Sequence, residues 1–532
     1  MKNKSKIIVV GGGFAGIEIV KRLDESKFNI LLIDKINHHQ FQPLFYQVAA
    51  AQLDPSSISF PLRSIFKNKK NVQIRLAQVQ SIDENNHSIN TTIGEFKYDY
   101  LIIAIGCETN FFGKNEIHKH AFSLKSIYDA IKIRNHMLQI FEKIISANET
   151  EKEALLNLVI VGAGPTGVEL AGAFAEIKKN ILLEHYPGID FTKFKITLLE
   201  GTKFTLNNMS IQARLSSRRY LKEMGVSVRT ETLVSNYDGE TLMLKNGRNI
   251  KTKTVIWAAG VTGNRINGLN EKCIVAGNRI KVNRFNQVFG TKNIFAIGDI
   301  ALMETIKYPK GHPQLANVAI GQGKNLAINL NRQASDNNPI EYEYKDFGSM
   351  ATIGKFKAVV DFPILRLKGY FAWIIWMFLH LMLILSVRNK LIIFINWVWS
   401  YTTKDPSLHL IFSSMKKSTI KEKKEQLHFE KVHLKSLSSM LNHLTSLGYE
   451  SQFQVSDQGL YSTKSEKTYK SNEIEVVRYF RFEGESNPDD NEILYAILTK
   501  DGEKGTLVDA YGIYNDAKIT NFMKTVEIAD PE

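Results

Sequence analysis

Apolar and polar positions repeat in the same order at two places along the chain. At the first place, a short β-branched run at residues 7–10 leads into a glycine-rich turn at residues 11–16, and a helical pattern then extends to Leu23. A second apolar run, residues 30–33, ends on Asp34. This order predicts a strand, a tight turn, a helix and a second parallel strand that ends in an acid, as a dinucleotide site requires.

The second copy begins at residues 158–161 and continues into a glycine turn at residues 162–167, a helix, and a strand at residues 196–199 that ends on Glu200. The spacing from turn to acid is longer here, and we interpret residues 184–195 as an inserted loop. A lone glycine motif is often only a tight turn. Two copies in one chain indicate nucleotide binding much more strongly.

Each copy closes on a buried strand followed by a small-residue turn. The first closes at Ala104 and Gly106 and the second at Gly260, at nearly the same spacing from their glycine turns. A further strand after the second copy runs into Gly298 and Asp299. Such a strand can return to the first domain and place the aspartate beside the ribityl and pyrophosphate groups of a flavin. The sequence therefore predicts an α/β protein with two Rossmann-like domains, the second inserted in the first.

Each glycine turn has the residues that phosphate binding needs. The first glycine permits the sharp turn, the second lets backbone amides approach a pyrophosphate, and the third lets helix and strand pack closely. The helix N-terminus favours the phosphate charge, and the terminal acid accepts hydrogen bonds from a ribose. The predicted cofactor-binding residues are Gly11, Gly13, Gly16, Asp34, Ala104, Gly106, Gly298 and Asp299 at the first site, and Gly162, Gly164, Gly167, Glu200 and Gly260 at the second.

The composition indicates a folded protein with a basic surface. The chain has 532 residues, 44% hydrophobic and 23% charged, which predicts two or three domains. The formal net charge of +14 would suit nucleic acid, but no nucleic-acid-binding motif supports that partner, and an anionic membrane surface explains the charge equally well. The two cysteines, Cys107 and Cys273, exclude a disulfide framework and indicate a reducing compartment. The N-terminal apolar run is too short for a signal peptide, which favours a cytoplasmic protein.

Residues 370–401 have the character of a membrane-attachment segment. Residues 371–387 carry no formal charge, but at ~1.5 Å rise per residue they fall short of the ~30 Å hydrocarbon core. Residues 391–401 form a second apolar stretch, and a lysine cluster at residues 416–424 follows it. Two short apolar helices with a basic turn predict a monotopic anchor that binds the lipid surface. The alternative is an internal core or a homodimer interface.

These motifs together resemble the two-dinucleotide-binding-domain flavoproteins, in which the first site holds FAD and the second holds NAD(P)H. The absence of a CxxxxC pair disfavours the dithiol reductases among them. More closely, the chain resembles type II NADH dehydrogenase over about residues 5–415. The resemblance is carried by residues 39–49, residues 347–354 and the apolar segment at residues 370–401. The resemblance implies FAD-dependent electron transfer from NADH to a membrane quinone in a respiratory chain, without proton pumping, by a peripheral protein at the cytoplasmic face of the cell membrane.

The resemblance also implies roles for particular residues. Glu169 matches a family glutamate near the nicotinamide and the quinone, and Gln322 is expected to face a cavity between the flavin and the membrane helices. In the family pattern Ala-Gln-x-Ala-x-Gln-Gln-Gly, this chain keeps Gln322 but has Asn317 and Gly321 in place of two glutamines. The carboxylate of Glu200 repels a 2′-phosphate, which predicts a preference for NADH over NADPH.

The C-terminal part of the chain predicts a separate small α+β domain of unknown role. Residues 431–447 have a helical pattern, and three strands are predicted around a hairpin turn at Asp501-Gly502. The acidic cluster at residues 483–490 is interpreted as a solvated turn. The expected domains are an FAD-binding domain at 1–115 and 280–345, an NADH-binding domain at 155–279, a membrane-anchoring region with a basic linker at 346–424, and the small domain at 425–532.

Two other functions remain compatible with these patterns. The same flavin core would serve a soluble NADH oxidase, or an NADH-dependent reductase of an electron-carrier protein. A redox-sensing binding module belongs to a different class, in which the C-terminal domain recruits a partner according to the state of the flavin.

Overall fold

The computed structural model describes residues 4–403 apart from 183, 184 and 187, and then residues 440–441, 444–445, 448–456, 458–482, 492–510, 517–523 and 525–528. The chain divides into two compact units, residues 1–415 and 416–532. The lysine cluster at residues 416–424, the acidic cluster at residues 483–490 and most of the predicted helix at residues 431–447 lie outside the described residues.

A five-stranded parallel sheet forms around the first copy of the repeated pattern. Its strands lie in the order Ile294–Ala296, Tyr100–Ile103, Ser5–Val10, Phe28–Asp34 and Val72–Leu76. These strands are rich in buried aliphatic residues because both faces of the sheet are covered. The helices Phe14–Arg22 and Ala316–Gln333 pack together on one face. The other face is covered by the meander Val79–Asp83, Ser88–Thr91 and Gly94–Lys97 and by the sheet Ile274–Val275, Arg279–Val282 and Ala301–Met303.

A four-stranded parallel sheet forms around the second copy. Its strands lie in the order Ser227–Arg229, Lys195–Leu199, Asn157–Val161 and Thr254–Trp257. The helices Pro165–Ile177 and Ile211–Glu223 and the meander Val234–Tyr237, Thr241–Leu244 and Asn249–Lys251 accompany it. A π-helix, Lys178–Leu182, precedes the expected inserted loop at residues 184–195, and this loop buries Phe191 and Phe194 in the core.

The chain returns to the first sheet after the second copy is complete. Ile294–Ala296 pairs in parallel with Tyr100–Ile103, so that Ala296 lies beside Ile103. Gly298 follows with a φ of +78°, a conformation that favours glycine and turns the chain into Asp299. A two-stranded ribbon of Cys107–Thr109 and Val261–Gly263 also joins the ends of the two copies.

Several short elements surround the two sheets. The helices Phe45–Ala49 and Leu62–Ile65 and the paired strands His38–Gln40 and Ser59–Pro61 follow the first copy. Three helices between the copies, Asn115–His120, Ile127–Ser146 and Glu149–Leu155, had no counterpart among the predicted elements. A capping box, in which Ser126 and Asp129 bond each other's backbone N–H groups, starts the longest of these three helices.

The last part of the first unit is an antiparallel sheet followed by two aromatic-rich helices. The strands are Ser349–Gly354, Lys357–Asp361 and Arg366–Lys368. We call the helices Tyr370–Leu383 and Val387–Thr403 the aromatic helix pair. The first helix ends four residues earlier than the uncharged stretch that was expected to run to residue 387, and Val387 begins the second. Among the residues that the structure describes, no helix has both the length and the apolar character that crossing a membrane requires.

The second unit contains a seven-stranded sheet. The expected strands are present as Ile474–Phe482, Glu492–Thr499 and Lys504–Ala510, and the last two form an antiparallel hairpin around Gly502, whose φ is +95°. The remaining strands are Ser451–Ser456, Gly459–Ser462, Thr468–Tyr469 and Glu527–Ile528, and the helix Ala517–Met523 packs beside Ser451–Ser456. Alternation in these added strands is short and interrupted by polar residues, which explains why the sequence did not predict them.

Candidate active site

The first glycine turn, residues 11–16, lies at the carboxyl edge of the five-stranded sheet. Gly11 has a φ of +106°, and a Cβ atom there would overlap the carbonyl oxygen of Ala104. A Cβ atom on Gly16 would overlap the carbonyl oxygen of Gly11, so helix and turn pack as closely as the spacing predicts. Gly13 is different, since no atom lies within 4 Å of a Cβ added there. The turn is therefore tight on the protein side and open on the side where a pyrophosphate would approach.

The second glycine turn, residues 162–167, repeats this geometry position by position. Gly162 has a φ of +102° and is closed by the backbone of Ala258, while Gly167 packs on the carbonyl oxygen of Gly162. Gly164 is open within 4 Å, as Gly13 is in the first turn. The two glycine turns therefore have the same geometry, and the repetition seen in the sequence is also a repetition of shape.

The terminal acid of each second strand binds the glycine turn of its own copy. The backbone N–H of Gly12 donates to Oδ2 of Asp34 at 2.5 Å, and the N–H of Ala163 donates to Oε2 of Glu200 at 2.7 Å. Glu200 accepts a second hydrogen bond, from the N–H of Thr202 at 2.8 Å. Burial raises the pKa of Asp34, and the N–H groups of Gly12 and Ile36 partly offset that rise. Both carboxylates are held at the edge where a nucleotide ribose would lie.

A cleft of about 940 Å³ opens beside the first glycine turn. Of the residues predicted for the first site, the cleft is lined by Gly11, Gly13, Asp34, Ala104, Gly106 and Asp299. Gly16 and Gly298 lie behind this lining, where they support the packing of the glycine turn and the turn into Asp299. The volume suits a ligand as large as a dinucleotide.

Cys107 also lines this cleft, although the sequence disfavoured thiol chemistry. Its thiol donates to Oδ2 of Asp299 at 3.0 Å, and Nζ of Lys125 lies 3.5 Å from the sulfur. Burial, followed by the charge of Asp299, raises the pKa of Cys107 to about 12. The thiol therefore stays protonated and does not act as a nucleophile at neutral pH.

Glu169 lies on the helix Pro165–Ile177 and is buried. Burial raises its pKa to about 8, and the backbone N–H of Thr352 and the side chain of Trp376 lower it only in part. Thr352 N–H reaches Oε1 of Glu169 at 3.4 Å. Glu169 thus lies near the first helix of the aromatic pair, and its raised pKa favours the protonated carboxyl at neutral pH.

Gln322 is completely buried in the helix Ala316–Gln333. Its Oε1 accepts a hydrogen bond from the backbone N–H of Gly298 at 2.7 Å, and its Nε2 has no partner among the described residues. Gly321 has a physical reason to be glycine, because a Cβ atom there would overlap the hydroxyl of Tyr342. Gln322 therefore stabilises the turn at Gly298 from the side of the helix Ala316–Gln333.

A separate cavity of about 80 Å³ lies between the helix Phe14–Arg22, which follows the first glycine turn, and the end of the helix Tyr370–Leu383. Its lining includes Asn317, Phe41, His39, Leu383 and Leu385 but does not include Gln322. Nδ1 of His39 lies 3.1 Å from the carbonyl oxygen of Gly12, and burial lowers the pKa of this histidine to about 4. The wall of the cavity is mostly apolar, and it also contains His39, the amide of Asn317 and the ionisable residues Glu18 and Lys21.

Sequence reasoning assigned no role to the polar side chains around Glu169. Tyr46, Gln47, His380 and Trp397 are buried beside the aromatic helix pair, and His380 stacks on Trp376 with ring centroids 4.1 Å apart. Tyr46 and Gln47 belong to the stretch 39–49 that carried the family resemblance. The sequence signal that could have indicated them was Gln47, a polar residue in the otherwise apolar helix Phe45–Ala49.

Two nucleotide-binding turns, a cleft at the first and a buried acid beside the second define a pyridine-nucleotide-dependent flavoprotein oxidoreductase. Residues 5–323 match the family model of the pyridine nucleotide-disulphide oxidoreductases, and residues 347–403 match that of the NDH2 C-terminal domain.

Relatives and solved structures agree with these matches. The chain is 30% identical over 418 residues to the type II NADH:quinone oxidoreductase Ndh of Mycobacterium tuberculosis, covering 75% of this chain and 88% of the relative. For NdhA of the same organism the identity is 32% over 433 residues, with 77% and 90% covered. The structure of NDH2 from Plasmodium falciparum in complex with NADH has the same fold, with a TM-score of 0.71 at 23% identity over 75% of this chain and 99% of that one. The chain belongs to the type II NADH:quinone oxidoreductase family, whose cofactors are FAD and NADH.

Proposed function

We propose that this chain oxidises NADH at the second glycine turn and passes the electrons, by way of FAD at the first, to a membrane quinone beside the aromatic helix pair. The observation that carries the proposal is the repeated geometry of Asp34 on Gly12 and of Glu200 on Ala163, which provides two nucleotide sites in one unit. FAD, when bound, supplies the two-electron redox chemistry, and the chain's own residues orient the reactants and hold protons.

The residues of the first cleft fit an FAD molecule. Gly13 leaves the pyrophosphate side of the turn open, and Asp34 is held at the ribose end by the Gly12 N–H. Gly298 and Asp299 follow the strand Ile294–Ala296, farther along the same carboxyl edge of the sheet. Gln322 accepts a hydrogen bond from the N–H of Gly298. We assign the FAD-binding domain to residues 1–115 and 280–345.

The second glycine turn selects NADH in this proposal. Glu200 is oriented by two backbone N–H groups, from Ala163 and Thr202, and its carboxylate would accept hydrogen bonds from the ribose hydroxyls of the adenosine. The same negative charge repels the 2′-phosphate of NADPH. We assign the NADH-binding domain to residues 155–279, with Gly162, Gly164, Gly167 and Gly260 at its turns.

In this proposal the quinone binds between Glu169 and the cavity of about 80 Å³. The cavity wall of Phe41, Leu383 and Leu385 suits an apolar ring, and the amide of Asn317 offers a hydrogen bond to a quinone carbonyl. Glu169 holds a proton at neutral pH because its burial raises its pKa to about 8. A protonated carboxyl at this position can give a proton to a quinone that is being reduced.

The aromatic helix pair binds a lipid surface in this proposal. Phe371 is 70% exposed and Val387 is 73% exposed, and both lie at the starts of helices otherwise rich in apolar residues. Arg388 and Lys390 follow Val387 and would meet anionic headgroups. We propose peripheral attachment, with the cytoplasmic face of the cell membrane as the expected side, and a homodimer formed through part of this surface is the competing outcome.

Steady-state kinetics of the purified protein test the proposal. The protein, purified gently with FAD in the buffer, is assayed for NADH oxidation with a short-chain quinone, and then with oxygen alone or with a small electron-carrier protein. The proposal expects rapid quinone-dependent oxidation and slow oxidation without quinone. Equal rates with and without quinone would support a soluble oxidase instead.

A further inference from the structure

The second helix of the aromatic pair contacts the rest of the unit through one narrow face. Its buried residues, Asn389, Ile393 and Trp397, are each four positions apart and so lie on one side of the helix. Two of the three make polar contacts. Nδ2 of Asn389 donates to two backbone carbonyls of Pro55–Ile58, at 3.1 and 2.8 Å. The indole N–H of Trp397 donates to Oε1 of Gln47 at 2.9 Å.

Gln47 connects Trp397 to Tyr46 through two hydrogen bonds. An indole nitrogen can only donate, so Trp397 fixes which end of the Gln47 amide is the oxygen. The other end of the amide, Nε2, donates to the hydroxyl oxygen of Tyr46 at 2.8 Å. Tyr46 therefore accepts the hydrogen bond from Gln47, and its own hydroxyl hydrogen is left to be donated elsewhere. All three side chains are buried, where an unpaired polar hydrogen is costly.

The hydroxyl of Tyr46 lies near the acid that we assign to the quinone site. The helix Phe45–Ala49 packs against Pro165–Ile177, which carries Glu169. Burial raises the pKa of Tyr46, and the Glu169 carboxylate, in its ionised form, is the charge that raises it most. The ring of Tyr46 lies 6.4 Å from that of Trp376, whose side chain lowers the pKa of Glu169.

We infer that Gln47 is a positioning residue that connects the second aromatic helix to the quinone site, by orienting the Tyr46 hydroxyl as a hydrogen-bond donor on the side of Glu169. The inference rests on the proposed function, because it assumes that Glu169 serves quinone reduction. The docking of a membrane-binding helix then sets the direction of a hydrogen bond at the acceptor site. The reduction of FAD by NADH does not depend on this contact.

Three substitutions in the full-length, FAD-loaded protein test the inference. Trp397→Phe removes the indole N–H and keeps an aromatic ring, Gln47→Met keeps the length of the side chain, and Tyr46→Phe removes the hydroxyl. Each is expected to lower kcat/KM for a short-chain quinone by about fivefold, the effect of one hydrogen bond of ordinary strength. The rate at which NADH reduces FAD in a single turnover is expected to stay within about twofold of wild type.

The double variant Trp397→Phe with Tyr46→Phe separates positioning from a general structural effect. If Trp397 acts through Tyr46, the double variant is no slower with quinone than Tyr46→Phe alone. Trp399→Phe is the matched control, since it removes the same N–H from an indole that is 57% exposed, and detergent-solubilised enzyme should keep its quinone kinetics.

Two results would overturn the inference. One is multiplicative loss in the double variant, and the other is a lower melting temperature for Trp397→Phe with unchanged quinone kinetics. The proposed function fails in a different way, because the wild-type enzyme itself would then show no quinone-dependent turnover.

Discussion

The Oε1 atom of Gln322 accepts a hydrogen bond from the backbone N–H of Gly298 over 2.7 Å, inside a helix where Gln322 has no exposed surface. Gly298 turns the chain into Asp299, which lines the large cleft. The family resemblance placed Gln322 at a quinone contact, and from this hydrogen bond we propose that it supports the FAD side of the site.

We expect Gln322→Leu to weaken FAD retention. The substitution leaves the buried N–H of Gly298 without an acceptor, which costs about 1–3 kcal/mol. The measurement is the FAD content after dialysis, together with the quinone KM of the enzyme that keeps its flavin. A raised quinone KM with normal FAD content would instead support the quinone contact that the sequence suggested.

We expect Glu200→Ala to weaken NADH binding by about 10-fold to 100-fold and to relax discrimination against NADPH, because a charged hydrogen-bond acceptor and a repulsive charge are lost together. Steady-state kinetics of wild type and Glu200→Ala with NADH and with NADPH measure both the weaker binding and the change in discrimination. Asp34→Ala is the matched control from the first copy, and it should reduce FAD retention without changing the ratio of NADH to NADPH use. Equal kinetics of wild type and Glu200→Ala with both nucleotides would contradict the assignment.

We expect quinone reduction to slow above about pH 8. Burial raises the pKa of Glu169 to about 8, so the carboxyl carries a proton at pH 7 and loses it as the pH rises through that value. Glu169→Gln cannot titrate, and its slower quinone reduction should be independent of pH in this range. A wild-type profile that is flat from pH 6 to 9 would contradict the proton-holding role.

The same group affects stability in a definite direction. Between the ordinary carboxyl range and about pH 8, the folded protein binds one more proton at Glu169 than the unfolded chain does. The stabilising contribution is therefore complete at low pH and is lost as the pH rises through about 8. We expect the melting temperature of wild type to fall more steeply than that of Glu169→Gln between pH 6 and 9.

We expect the double substitution Phe371→Asp and Val387→Asp to abolish binding to anionic vesicles, because each places a charge where an exposed apolar side chain would enter the lipid. Vesicle flotation measures the bound fraction. Ile93→Asp is the control, since it changes an exposed apolar residue on the Ser88–Thr91 to Gly94–Lys97 hairpin. Unchanged flotation with a shift from dimer to monomer would assign this surface to a homodimer.

We expect deletion of residues 425–532 to leave NADH:quinone turnover intact. The first unit contains both glycine turns, the large cleft and Glu169. The measurement is kcat with a short-chain quinone for the shortened and full-length proteins. Loss of turnover in a protein that still folds and holds FAD would show that the second unit is part of the enzyme.

The two glycine turns and the acids beside them could be predicted because their determinants are local in sequence. A glycine at a given position in a strand–turn–helix unit has one steric role, and Gly11 and Gly162 perform it against the backbone of Ala104 and Ala258. The acid at the end of the next strand is placed by parallel pairing, which apolar runs predict well. Sequence alone was therefore sufficient for the two turns and their acids.

The contacts that we assign to the acceptor side could not be predicted because they join distant segments. Trp397 and Gln47 are separated by 350 positions, and no periodic pattern relates them. Gln322 has the right residue type for a quinone contact, but the direction of its side chain depends on how Ala316–Gln333 packs on the first sheet. Tyr342 likewise explains Gly321 only once the fold brings the two together.

Electron transfer from NADH through FAD to quinone is tested most directly by following the flavin absorbance of the purified, FAD-loaded protein through two anaerobic additions. We expect NADH to bleach the flavin band within the turnover time and a short-chain quinone then to restore it, with both steps as fast as steady-state turnover. A flavin that NADH reduces but quinone does not reoxidise would rule out quinone as the acceptor, because the electrons would then leave this chain by another route.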